Sequence, residues 1–290
     1  MRYLRNTSSR YSQSTSALFG YGVVGKLTAM AFSVDYCFDW GFTDYKPIGD
    51  YHVSIIKRCD QIFICVPTPL GRNKKYDLSN IEGVFKLLRS YEIKPLVIIR
   101  STVSAGTAKR LGEKYGLNII SYPEFLSEKT AVFDMAHPWF CVLGGREETL
   151  DNFINEYGYF EGKSIIRTDN TTAELFKETL NAIFGTLVVF GNQIFDVAQK
   201  VNADYDVIRW GIGLIPWPAQ THLDVMHGGY RGYGGKCLPK DIQALANQFN
   251  VPLLKLIHKL NAKYFQRSYS GLQSARHHRK VSVKRYKPGV

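Results

Sequence analysis

Apolar residues in this chain fall into short unbroken runs, separated by stretches with a helical repeat, from Ala17 to about residue 168. "ALFGYGVVGKLTAMAFS" reads as a strand, a glycine turn and a helix. "YCFDW", "QIFICVPTP", "KPLVIIRST", "LNIISYPEF" and "PWFCVLGG" read as further strands. Between them, "SNIEGVFKLLRSYE" and "GTAKRLGEKYG" place apolar residues at helical spacing. Strands that are apolar throughout belong to a parallel sheet covered on both faces. The predicted fold class is α/β, a doubly wound parallel sheet over residues 17–168. The interval between the glycine turn and "QIFICVPTP" is short, so that half of the sheet is expected to be trimmed.

The pattern changes at Thr171. "TTAELFKETLNAIFGTLVVFGNQIFDVAQKV" runs to Val201 without proline, and its start reads as a capping box of Thr171 with Glu174. "KDIQALANQFN" and "PLLKLIHKLNAKYFQRSY" are further helical stretches, giving an all-helical second domain over residues 169–268 with one long helix. Residues 1–16 are a basic leader and residues 269–290 a basic tail.

Composition narrows the class. A chain of 290 residues with 45% hydrophobic content has enough material for two cores. Its longest apolar run, "AIFGTLVVFG", is about half of the ~20 residues that span a bilayer, so no membrane partner is expected. The five cysteines, Cys37, Cys59, Cys65, Cys141 and Cys237, are odd in number and lack CxxC spacing. That argues against a disulfide framework or zinc site and for a reducing compartment, the cytoplasm; no metal is expected. The net charge of +12 sits almost wholly in the tails. Residues 1–19 hold three arginines, residues 262–290 hold eight Lys or Arg, and neither stretch holds an acid. Such a tail attracts an acidic partner or nucleic acid, or is a solvated flexible segment.

Against this background four groups of residues carry chemistry. "GYGVVG", Gly20–Gly25, follows a strand and opens a helix as G-x-G-x-x-G, with Asp39 the acid expected about 20 residues on. Gly20, Gly22, Val23, Val24 and Gly25 would cradle a pyrophosphate, and Asp39 (Asp44 as fallback) would hold the ribose hydroxyls of NAD rather than NADP. This is a Rossmann-type site. At strand ends stand Pro67 and Thr68, Ser101 and Thr102, and Glu124, all on the sheet edge where ligands bind. On the long helix Glu174, Lys177 and Asn181 form one stripe, and a lysine in so apolar a helix needs a partner or a role. Finally, "GGYRGYGGKCLPKD" sets Cys237 among glycines beside Lys240 and Asp241. A cysteine nucleophile needs nearby cations and backbone N–H donors, which Lys240 and the glycines supply; Asp241 can act on water. A thiolate beside NAD suggests oxidation of an aldehyde to an acid through a thioester.

"GYGVVG", "FICVPTP", "RSTVSAGT", "YPEFLSE", "ELFKETLNAIFGTLVVFGNQI" and "GYGGKCLPKD" occur in the order found in the UDP-glucose 6-dehydrogenase family, with its GDP-mannose and UDP-N-acetylmannosaminuronate relatives. Over residues 17–268 the chain resembles that family. The resemblance implies NAD-dependent oxidation of a nucleotide sugar's primary alcohol to a carboxylate in two steps. It implies that Cys237 captures the aldehyde, Asp241 assists hydrolysis, Lys177 with Asn181 stabilises the oxyanion, and Thr102 and Glu124 position water and handle protons. Glu124, Phe125 and Leu126 would line the sugar site with Lys177 and Asn181, and Tyr233, Gly234 and Gly235 would lie against the substrate. Pro67, Thr68, Ser101, Thr102 and Lys240 would contact the cofactor. Homodimerisation through the helical domain is also implied.

Two departures bear on these expectations. Family members continue into a further α/β domain that clasps the nucleotide, which is not expected here. They also carry an "RIG"-like arginine where this chain reads "GLIPWPAQTH"; Arg231 is the nearest substitute. Remote binding energy supports catalysis, so the expected result is a raised substrate requirement or a changed substrate. The alternatives are a dimeric NAD-binding scaffold acting through the tail, and a dehydrogenase for a smaller sugar or hydroxy acid.

Overall fold

The computed structural model describes residues 14–40, 45–72, 75–127, 130–214, 233, 239, 242, 246–247, 250–266 and 284–285. They divide into two units, one formed by residues up to 181 with the strand at 284–285, the other by residues between 182 and 280.

The first unit is a nine-stranded sheet: β1 Ser16–Phe19, β2 Tyr36–Trp40, β3 Tyr45–Pro47, β4 Gln61–Ile64, β5 Leu96–Ile99, β6 Ile119–Ser121, β7 Cys141–Gly144, β8 Ser164–Thr168 and β9 Lys284–Arg285. Their order is β3-β2-β1-β4-β5-β6-β7-β8-β9. Its helices are α1 Val23–Ala31, α2 Ser79–Ser90, α3 Thr107–Tyr115, α4 Ala131–Ala136, α5 Glu147–Glu156 and the first part of α6 Asn170–Lys200. Strands β2, β1, β4, β5 and β6 run parallel, as the apolar runs predict. Neighbouring residues of one strand enter opposite cores. Ala17 and Phe19 pack with Ile81, Phe85 and Leu111, whereas Leu18 packs with Phe63, Phe153 and Phe160. A sheet sandwiched in this way needs apolar side chains on both faces of every central strand.

The sheet is not parallel throughout. β3 forms an antiparallel hairpin with β2, β7 is antiparallel to β6, and β9 is antiparallel to β8. The short interval after β2 holds that hairpin and a 3-10 turn, Val53–Arg58, in place of a crossover helix. An antiparallel strand can be reached by a turn of a few residues, whereas a parallel return needs a dozen or more.

Helix α6 is continuous over Asn170–Lys200, close to the predicted span. Its start differs from the expected capping box. Asp169, not Thr171, caps it: the Asp169 carboxylate accepts from the Thr172 backbone N–H at 3.0 Å and from the Thr172 hydroxyl at 2.7 Å. Glu174 is engaged by another element, so it cannot reach back to its own helix.

In the second unit α6 continues, followed by α7 Tyr205–Gly213 and α8 Pro252–Gln266. Val197, Ala246, Val251 and Leu254 form a small cluster there. Among the described residues no helix is long and apolar enough to cross a membrane.

Candidate active site

The glycine motif opens α1 beside the end of β1. Gly20 has φ +97°, and a Cβ there would lie 2.5 Å from the backbone of Cys65. A Cβ on Gly25 would lie 1.9 Å from the Gly20 carbonyl oxygen, so only glycine lets α1 sit this close to the turn. Gly22 is different: nothing lies within 4 Å of its Cβ position, it is the N-cap of α1, and no side chain caps that helix. The helix start therefore presents backbone N–H groups toward an open space, a fit for a phosphate group. Asp39 stands on β2 one residue beyond the Phe19–Phe38 pairing, and the Gly20 N–H donates to the Phe38 carbonyl at 2.9 Å. The acid and the glycine turn thus share one edge. These residues fit a dinucleotide, with the pyrophosphate at Gly22 and the ribose near Asp39.

The same edge carries the predicted strand-end residues. The Thr68 hydroxyl donates to the Thr102 carbonyl at 2.6 Å. The Ser101 hydroxyl donates to the Val66 carbonyl at 2.7 Å, and the Asn80 amide donates to Pro67 at 2.8 Å. Loops after β4 and β5 are thereby tied together.

Glu124 and Lys177 meet three residues past β6. Lys177 Nζ lies 3.2 Å from Glu124 Oε1, with side-chain exposures of only 8% and 17%. The other carboxylate oxygen accepts from the Leu126 N–H at 2.6 Å. The Lys177 ammonium also lies 5.5 Å from the Phe125 ring centroid, and Phe125 packs with Phe140 and Phe176. The apolar α6 sequence forces this lysine inside, and the carboxylate makes that burial tolerable. A cavity of about 10 Å³, room for about one water, is lined by Ser101, Thr102, Ser121, Pro123, Glu174 and Lys177 among others. Asn181, one turn beyond Lys177, is exposed.

Cys237, Lys240, Asp241, Gly234 and Gly235 lie outside the described residues, as do Asp44 and Arg231. Tyr233 belongs to the second unit, where its backbone N–H donates to the Asn261 side chain at 2.7 Å and its carbonyl accepts from it at 2.9 Å. The other four cysteines are free thiols. Burial pushes Cys37 and Cys59 up to about 12 and Cys65 up to about 11, and raises Cys141 as well. They stay protonated and inert near neutral pH.

Two features escaped the sequence pattern. Arg100, at the end of β5, is 2% exposed and covers the Tyr122 ring at 4.2 Å. Its Nε and Nη1 have no hydrogen-bond partner among the described residues. A charge at the end of an apolar run ordinarily marks the solvent edge, so nothing in the pattern signals burial. The second is Glu174, whose carboxylate accepts from the backbone at the start of α3. The glycine before α3, which offers no side-chain cap, was the available clue.

Residues 48–159 match the NAD binding domain of the UDP-glucose/GDP-mannose dehydrogenase family, and residues 171–263 match that family's central domain. UDP-glucose 6-dehydrogenase YwqF of Bacillus subtilis is 30% identical over 220 residues, covering 71% of this chain and 49% of that protein. GDP-mannose 6-dehydrogenase of Pseudomonas aeruginosa is 30% identical over 256 residues, covering 81% of this chain and 56% of that protein. The chain spans about half the length of these curated relatives. The solved ternary complex of GDP-mannose dehydrogenase from Pseudomonas aeruginosa superposes with a TM-score of 0.68 at 26% identity, covering 87% of this chain and 69% of that one. With its glycine cradle, its strand-end residues and both matched domains in family order, the chain belongs to the UDP-glucose/GDP-mannose dehydrogenase family.

Proposed function

We propose that this protein oxidises the primary alcohol of a nucleotide sugar, UDP-glucose first among them, to a carboxylate in two NAD-dependent steps. The observation that carries this reading is the buried Lys177–Glu124 pair at 3.2 Å, set beside Ser101 and Thr102 on the edge that also holds the glycine cradle. A desolvated ammonium at that position is suited to stabilise an alkoxide or oxyanion, with Asn181 as a second donor. Glu124, reached by the solvent on one side, would take the proton released as the alcohol is oxidised, and Thr102 would orient water.

NAD, when bound, accepts a hydride in each oxidation. Gly20, Gly22, Val23, Val24 and Gly25 would hold its pyrophosphate, Asp39 its adenosine ribose, and Pro67, Thr68, Ser101, Thr102 and Lys240 the rest. After the first oxidation, the Cys237 thiolate would add to the aldehyde carbon, forming a C–S bond and a thiohemiacetal. Its second oxidation leaves a thioester, and water activated by Asp241 then cleaves the C–S bond, giving the carboxylate and the free thiol. The inert state of the four described thiols leaves Cys237 as the nucleophile on this reading. Phe125, Leu126, Tyr233, Gly234 and Gly235 would line the substrate.

Exposed apolar residues on α7 support homodimerisation through the helical unit, and the free thiols among the described cysteines support a cytoplasmic location. The eight Lys and Arg of residues 262–290 support engagement of an acidic partner. The test is NADH production with UDP-glucose, GDP-mannose and UDP-N-acetylmannosamine, wild type beside Cys237→Ala. About two NADH per sugar, lost in the variant, is the expected result. NAD binding without turnover of any of the three would instead favour a cofactor-binding scaffold.

A further inference from the structure

Glu174 is 3% exposed, yet its carboxylate touches no cationic side chain among the described contacts. Its Oε2 accepts from the backbone N–H of Gly106 at 2.7 Å and of Thr107 at 3.1 Å; its Oε1 accepts from the N–H of Ala108 at 2.8 Å and from the Ser121 hydroxyl at 3.2 Å. The three N–H groups are the leading amides of α3, and the hydroxyl belongs to β6. That helix has no capping side chain of its own, because its N-cap is Gly106 in the left-handed region at φ 90°, and its first turn holds no acid. Glu174 therefore supplies the acceptor and the negative charge that a helix start calls for, from a different element. One turn further on, Glu178 Oε2 accepts from the Ala105 N–H at 3.1 Å.

The position of this cap gives it a consequence beyond stability. Lys177 follows Glu174 by three residues on the same face of α6, and both line the small cavity that Ser101 and Thr102 also line. The segment from Ser101 to Gly106 is thus pinned at both ends. At one end it is tied to the β4 loop through Thr68 and Val66, at the other to α6 through Glu174. We propose that Glu174 is a positioning residue: by capping α3 from α6 it fixes where Ser101 and Thr102 stand relative to the Lys177–Glu124 pair. The role rests on the dehydrogenase reading, since it concerns the cofactor-contacting loop. A substitution that frees α3 displaces that loop from the lysine even though neither the loop nor the lysine is altered. Displacements of about an ångström far from the reacting atoms can cost two orders of magnitude in rate.

The experiment uses the full chain and reads two quantities, amide hydrogen exchange at Gly106–Ala108 and NAD affinity by titration, for wild type, Glu174→Gln and Ser121→Ala. Glutamine keeps the shape but turns one acceptor into a donor facing N–H groups. The expected result for Glu174→Gln is faster exchange at the three amides, NAD binding weakened about tenfold or more, and a fall in kcat larger than any rise in KM for the sugar. Ser121→Ala, which removes one of the four donors, should move the same readouts in the same direction by less, and it decides the matter if Glu174→Gln does not fold. Faster exchange with unchanged NAD affinity and kcat would reduce Glu174 to a cap and overturn the positioning role, as would unchanged exchange. A wild-type chain that binds no NAD overturns the dehydrogenase reading itself, and the positioning role with it, whatever the amides do.

Discussion

In the sheet unit Phe19, Phe63, Phe85, Phe153 and Phe160 are wholly buried, shared between the two cores that cover the sheet. In the helical unit, among the described residues, Val197, Ala246, Val251 and Leu254 are the buried apolar cluster, and α7 has no buried residue at all. Instead α7 exposes Val207, Trp210 and Ile212 at 62%, 66% and 59%. Each large apolar side chain taken from water contributes about 1.5–3 kcal/mol, so the first unit is stabilised by its own core while α7 leaves that contribution unused. Clustered exposed apolar residues on one short helix are the mark of a surface awaiting cover. The two units thus teach different things: one buries its large apolar side chains in its own cores, while α7 leaves apolar surface exposed, the surface the proposed homodimer would use.

The largest expected effect tests the sheet unit where it buries charge. Lys177→Met should lower turnover by about two to three orders of magnitude. It should also destabilise the chain by about 3 kcal/mol, because it leaves Glu124 buried without its cation. Adding Glu124→Gln should restore much of that stability and none of the rate, as read by denaturant melts and NADH assays. A double variant as unstable as the sum of the two singles would mean that the pair is not coupled. A smaller effect is expected for α7, the proposed dimer surface. Trp210→Asp should weaken self-association by about 2 kcal/mol in sedimentation equilibrium while leaving the melting of the sheet unit in place. Unchanged association would remove α7 from the interface. The smallest effect concerns the start of α6. Asp169→Ala should cost about 1 kcal/mol near neutral pH. The Thr172 hydroxyl and then its backbone N–H hold the Asp169 carboxyl below its ordinary 3.8. A carboxyl depressed in this way stabilises the folded state fully above the unfolded value and loses that contribution as pH falls through the lower folded value. The gap between wild type and variant should therefore close in acid, and a gap that persists unchanged at low pH would mean that Asp169 acts otherwise.

Much of the sheet unit is legible in the sequence because its signals are local. The apolar runs of β1, β2 and β4 to β7 announce themselves without reference to one another, and "GYGVVG" brings its strand and helix with it; β3, a short hairpin strand "YKP", does not. Strand direction is another matter. β6 and β7 have similar apolar composition, yet they run antiparallel, since direction is set by the connection through α4 rather than by periodicity. β8, Ser164–Thr168, has a mixed sequence that carries no strong strand pattern. For the candidate site, Lys177 is visible as a charge in an apolar helix, and Glu124 as an acid after a strand. Their pairing is not visible, because 53 positions separate them in the numbering and only the folded sheet brings them to 3.2 Å. Glu174 is the most instructive case: its spacing from Thr171 offered a local partner, and a distant backbone claimed it instead.

That distant backbone has a bearing on how the chain reaches its native state. Helix α3 lies 68 positions before the residue that completes its first turn. A ribosome will have released α3 well before α6 exists, and until then its leading amides face water. The loop bearing Ser101 and Thr102 therefore acquires its final form only when α6 docks and a long loop has closed. In a kinetic experiment, Ser121→Ala should speed unfolding far more than it slows refolding, the signature of a contact formed after the transition state.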